Sequence, residues 1–68
     1  MVSSIVILKK DTQDRQTLIV KAEDWLNPDM YLIDAQDPYT NDTWPIEKDK
    51  YEIGWPLDEN YEPNYNFS

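Results

Sequence analysis

The chain has 68 residues, a formal charge of −8, no cysteine and no histidine. A domain of this size buries only roughly 60% of its unfolded surface. The missing residue types exclude disulfide staples, Cys/His zinc sites, thiol nucleophiles and imidazole bases. Three Trp, five Tyr and one Phe must then carry much of the core, since each large ring buries about 150 to 250 Å².

The stretch "SIVILKK", the polar "DTQDR" and the apolar "QTLIVKA" predict a β-hairpin with a five-residue loop. Ile5 and Ile7 share one face of the first strand and Val6 and Leu8 the other. With both faces apolar, that strand is expected inside a sheet or lining a barrel. In the second strand Leu18 and Val20 oppose Ile19 and Lys21.

"EDWLNPD" reads as a turn, because Pro28 cannot donate to a ladder and biases Asn27 toward extended geometry. "MYLIDAQ" predicts a third strand, with Met30, Leu32 and Asp34 on one side and Tyr31, Ile33 and Ala35 on the other. "DPYTND" is rich in side chains that form Asx turns and leads into "TWPIEK", a short fourth strand. Pro45 marks that strand as an edge or a bulge.

Two periods compete in "DKYEIGW". Alternation of Tyr51, Ile53 and Trp55 suits a strand. Asp49 and Glu52 in capping-box spacing, Tyr51 and Trp55 at i, i+4, and Gly54 as a stop favour one short helical turn, which is the expectation adopted. "PLDENYEPNYNFS" is polar and acidic, so residues 58–68 form a tail that is either disordered or a strap over something else, following a single domain at 1–57. The expected fold class is mostly β: a small antiparallel sheet or partly open SH3-like barrel of four or five short strands, with one helical turn.

Within "NPDMYLIDAQDPYTNDTWPIEKDKYEIGW", Pro28, Tyr31, Leu32 and Ile33, then Trp44, Pro45 and Ile46, then Tyr51 and Trp55 follow a recognisable order. The segment resembles the PGDYG family of small bacterial and phage proteins over residues 28–55. Asp29 stands at the family's Gly and Met30 at its Asp. The resemblance implies a small β-rich module and no established activity. It also implies different roles for the two Trp-Pro dipeptides: Trp44 and Ile46 fill the core from a strand, and Trp55 closes the following turn.

The acid is unevenly spread. Residues 1–22 hold four cations against two acids, whereas residues 23–68 hold Lys48 and Lys50 against twelve acids, a net of −10. Phosphate backbones need cationic partners, so the expectation is no direct nucleic-acid binding. Either a solvated surface or attraction to a basic protein surface accounts for such a charge. No window has the roughly 18 apolar residues of a membrane span. "VSSIVILKK" has neither a basic leader nor a small-residue cleavage site after it, so a soluble, cytoplasmic protein is expected. The glycosylation-like Asn41, Asp42 and Thr43 is then coincidental.

No catalytic arrangement stands out, since Ser3, Ser4 and Thr12 have no His or Cys to form a triad. Asp34, Asp37, Asn41 and Asp42 supply oxygen ligands without the alternating Asp spacing and Gly of a Ca²⁺ loop, so no metal or other cofactor is expected. The remaining signal is the acid field, whose rows on strands and turns can imitate the spacing of DNA phosphates. Tyr61, Tyr65 and Phe67 add aromatic side chains suited to interface anchoring.

The expected function is therefore a non-enzymatic acidic inhibitor, of the kind encoded by a phage or mobile element for anti-defence. It would occupy the basic nucleic-acid-binding site of a host protein, such as a nuclease, as a DNA mimic. Asp37, Asp42, Asp49, Asp58, Glu59 and Glu62 are the candidate electrostatic contacts, and Tyr39, Tyr61 and Tyr65 the candidate packing anchors. The alternative is a structural or accessory module that forms a homodimer or docks through the strand edge near Pro45.

Overall fold

The structure, a computed structural model, describes residues 2–13 and 16–64. Five antiparallel strands form one open sheet: β1 (Ser4–Lys9), β2 (Thr17–Lys21), β3 (Leu32–Gln36), β4 (Thr43–Glu47) and β5 (Tyr51–Leu57). Their order is β4-β3-β2-β1-β5. Helix α1 (Ala22–Leu26) links β2 to β3, and a 3₁₀ turn (Lys48–Lys50) carries the chain from one edge strand to the other. The mostly β expectation holds, as a small antiparallel sheet.

Strand alternation sorts the apolar side chains into two layers. Ile5, Ile7, Leu18, Val20, Ile33, Ala35, Ile46 and Tyr51 form the main core together with Ala22, and Val2, Trp25, Met30 and Trp44 pack against it. Val6 and Leu57 are also buried. They belong to the opposite face, where Val6 pairs with Ile19 and Trp55, and Leu57 with Ser4. The doubly apolar first strand is thus explained: β1 lies between β2 and β5 and buries both faces.

Three local expectations are corrected. The segment around Trp25 is a five-residue helix before it is a turn. Such a short helix has little stability of its own. Ala22 and Trp25, at i, i+3 spacing, both reach the core, and Lys48 Nζ donates to the carbonyls of Trp25 (3.1 Å) and Asn27 (2.7 Å) from across the fold. Asn27 Oδ1 then accepts the Asp29 N–H at 2.9 Å, forming the anticipated turn. Lys48→Met retains the aliphatic stem but removes both charge-assisted bonds. It is expected to lower the unfolding free energy by about 1 to 3 kcal/mol in a urea titration.

The second correction concerns "DKYEIGW". The helical turn occupies only Lys48–Lys50, and its N-cap residue, Glu47, makes no side-chain cap bond. Tyr51 turns into the core and starts β5, so Asp49 lies inside the turn and Glu52 in the strand, not at the cap and third position of one helix. Burial of Tyr51 and six paired residues against β1 outweigh the local helical signals. Gly54 is the extra residue of a bulge, where the register shifts opposite Val6 and Ile7. A Cβ there would stand 3.1 Å from the Val6 carbonyl oxygen, so the close backbone approach favours glycine.

Trp55 is the third. It lies within β5 opposite Val6, half-buried on the outer face, and closes no turn. Pro45 sits on edge strand β4, as expected. The Lys48 N–H donates inward to the Tyr31 carbonyl at 3.1 Å. By alternation the nitrogen of Pro45 faces the open edge and leaves that edge one donor short.

Candidate functional site

The segment after β5 folds back along the strand it leaves. Asp58 N–H donates to the Glu62 carbonyl at 2.9 Å, Tyr61 N–H to the Asp58 carbonyl at 3.0 Å, and Asn64 N–H to the Pro56 carbonyl at 2.9 Å. Pro63 forms a bridge opposite Leu57. Asp58 organises the turn, its Oδ1 accepting the N–H groups of Asn60 (2.9 Å) and Glu62 (3.0 Å). This is the Asx chemistry of a short polar segment. Of the two alternatives, disorder or a strap, residues 58–64 take the strap.

The β3–β4 connection is built in the same way. Asp37 Oδ1 accepts the Tyr39 N–H at 2.8 Å, and the Asp42 N–H donates to Thr40 Oγ1 at 3.2 Å. Asp37 and Asp42 close the loop through a backbone bond of 2.9 Å. Asn41 adopts φ 64°, a left-handed conformation that Asn tolerates well. Its Oδ1 accepts from Gln36 Nε2 at 3.3 Å.

These two turns meet across the outer face of the sheet. Tyr61, Ile19, Gln36, Pro38 and Asn41 line an open groove of about 280 Å³. An adjoining depression of about 180 Å³ extends it past Ser4, Lys21, Asp34 and Thr43. Asp37 and Asp42 belong to the turn on one side, and Asp58, Glu59 and Glu62 to the returning segment on the other. Asp42, Glu59 and Glu62 are exposed, while Asp37 and Asp58 are half-buried and committed to their turns.

Asp49 lies elsewhere. It sits on the 3₁₀ turn near the start of β3, whereas residues 37–42 follow its end, one five-residue strand or roughly 16 Å away. Tyr39 is 91% exposed and outside the groove lining. Tyr65 lies outside the described residues. Ile19, Gln36, Pro38 and Asn41 were not among the expected site residues, although an apolar Ile19 on an otherwise polar strand face was a usable signal. A second cleft, of about 280 Å³, opens between the two edge strands and is lined by Lys9, Lys50, Trp44 and Tyr51, among others. Among the described residues no three acidic side chains are grouped to hold a metal ion, and no helix is long and apolar enough to cross a membrane.

The Tyr31 hydroxyl donates to Asp49 Oδ1 at 2.8 Å. That bond, then desolvation, then the negative charges of Asp49 and Glu47 raise the phenol above its ordinary value of 10.0. A raised phenol means that the fold favours the neutral form. Its contribution is present below the unfolded value and is lost as pH rises through the folded one. Phenolate absorbance is therefore expected to show Tyr31 ionising at higher pH in the folded protein than in urea, and Asp49→Ala is expected to reduce the difference. Coincident folded and unfolded titrations would contradict this.

Asp29, at the position of the PGDYG family's Gly, is not among the residues with positive φ, so the departure from the family pattern introduces no backbone strain there. No family model, no curated protein and no solved structure matches this chain.

Proposed function

We propose that this chain is a non-enzymatic, acidic protein-binding module. It docks on the basic, nucleic-acid-binding surface of another protein and blocks it, as a phage or mobile-element inhibitor acting in the cytoplasm would. The observation that carries this reading is the fold-back of residues 58–64, which brings Tyr61 to the groove, so that the turns at its two sides carry the exposed acids Glu59 and Glu62, near Tyr61 in the chain, and Asp42, next to Asn41. Exposed carboxylates on both sides of an apolar-floored groove complement lysine and arginine side chains, and such charge pairing speeds encounter and sets partner choice. Asp49, at the other end of the sheet, adds to the long-range field and not to the groove. Docking through the strand edge near Pro45 has less support, because that edge lacks one donor.

Affinity capture from bacterial lysate, comparing the native chain with an Asp42→Asn/Glu59→Gln/Glu62→Gln variant, tests the reading. The expected result is a nucleic-acid-binding protein held at low salt, released at high salt, and bound about tenfold more weakly by the variant. Equal retention by both chains, or capture of no nucleic-acid-handling protein, would count against it. A salt-insensitive dimer in light scattering would favour self-association instead.

A further inference from the structure

We infer that the groove beneath Tyr61 selects arginine: it receives one arginine side chain of the basic partner in preference to lysine. This rests on the reading above and specifies how that surface chooses its partner. Three observations converge. The groove has an apolar floor at Ile19 and a ring, that of Tyr61, which is 62% exposed and shares the lining with it. An arginine stem packs on such a floor, and its planar guanidinium stacks on such a ring.

The second observation is the amide pair at the groove's side. Gln36 Nε2 donates to Asn41 Oδ1, which leaves Gln36 Oε1 as the acceptor its side chain can offer. A guanidinium, with five N–H donors in a fixed fork, can use that oxygen while facing the ring. A lysine ammonium is more strongly hydrated and has no planar face to stack.

The third is charge. The turns flanking the groove carry Asp42, Glu59 and Glu62, all exposed, so a cation entering from solvent is favoured. Lys21 lines the far depression beside Asp34. With Asp34 offsetting Lys21 there, the uncompensated negative charge lies on the turns that carry Asn41 and Tyr61, which favours a guanidinium at the Gln36 and Asn41 side.

Titrating the full chain with hexa-arginine and with hexa-lysine, followed by amide chemical shifts, tests the inference. Hexa-arginine is expected to bind about three- to fivefold more tightly, the ratio expected from one solvent-exposed stacking contact. The largest shifts should fall at Ile19, Gln36, Asn41 and Tyr61. Tyr61→Leu should weaken hexa-arginine more than hexa-lysine and bring their ratio close to one, and Tyr61→Phe should keep the preference. Equal affinity for the two peptides, a preference surviving Tyr61→Leu, or shifts centred elsewhere would overturn it. If both peptides bind equally and weaken in the Asp42→Asn/Glu59→Gln/Glu62→Gln variant, the acidic docking surface stands and arginine selection falls. If neither binds, both fall.

Discussion

Ile7→Ala is expected to remove much of the stability of this protein. Ile7 is fully buried in β1, paired with Leu18 on one side and Ile53 on the other. Truncating a buried isoleucine to alanine costs about 2 to 5 kcal/mol, depending on how far the site collapses. At about 0.05 to 0.15 kcal/mol per residue, a domain of this size has only roughly 3 to 10 kcal/mol in total. The variant should therefore show a urea midpoint well below the native one, or be unfolded from the start. Its cross-strand partner serves as the control. Ile53 is 44% exposed, so Ile53→Ala should cost about 1 kcal/mol or less. Similar losses for the two variants would mean that the core is not where the sheet places it.

Ending the chain after Leu57 is expected to have an effect of similar size by another route. It deletes the bridge to Pro63 and the backbone bonds made by residues 58–64. It also removes Pro63 from beside the buried Leu57 and Tyr61 from the groove it shares with the half-buried Ile19. Exposing one leucine-sized side chain costs about 1.5 to 3 kcal/mol. The truncated chain should thus lose about 2 to 4 kcal/mol and expose apolar surface that binds a hydrophobic dye. Full native stability after truncation would show that the segment is an appendage and contributes nothing to the outer layer.

Much of the sheet was legible because its signals are short-range. Alternation in "SIVILKK" and "QTLIVKA" located both strands and their inward residues, and Pro45 restricted its strand to an edge or a bulge, of which the fold takes the edge. Helix α1 was not legible, since five residues are fewer than a periodicity window needs and Lys48, which holds it, lies 23 positions from Trp25. Gly54 misled for a specific reason. Tyr51 and Trp55 four apart fit a helix face, and a bulge between them fits the same spacing to a strand.

The candidate site was partly legible. Its acids stand out in composition, and Asp37 announced a turn through its neighbours, whereas the turn at Asp58 lay in a segment read only as an acidic tail. Which turns would face each other is a tertiary matter that no local pattern encodes. Asp49 was therefore grouped with acids that the fold places at the opposite end of β3. The groove residues Ile19, Gln36 and Asn41 come from three segments, which the pairing of β2 with β3 and the Gln36–Asn41 bond bring together, and the return of residues 58–64 adds Tyr61.

Both the docking surface and its arginine preference depend on that return. Nuclear Overhauser contacts between the Tyr61 ring protons and the Ile19 methyl groups test it directly in the full-length chain. The predicted result is a set of clear cross-peaks, with further contacts from the ring to Pro38 and with Ile19 methyl shifts displaced by the ring current. Absence of those contacts, with Tyr61 at random-coil shifts, would contradict the account.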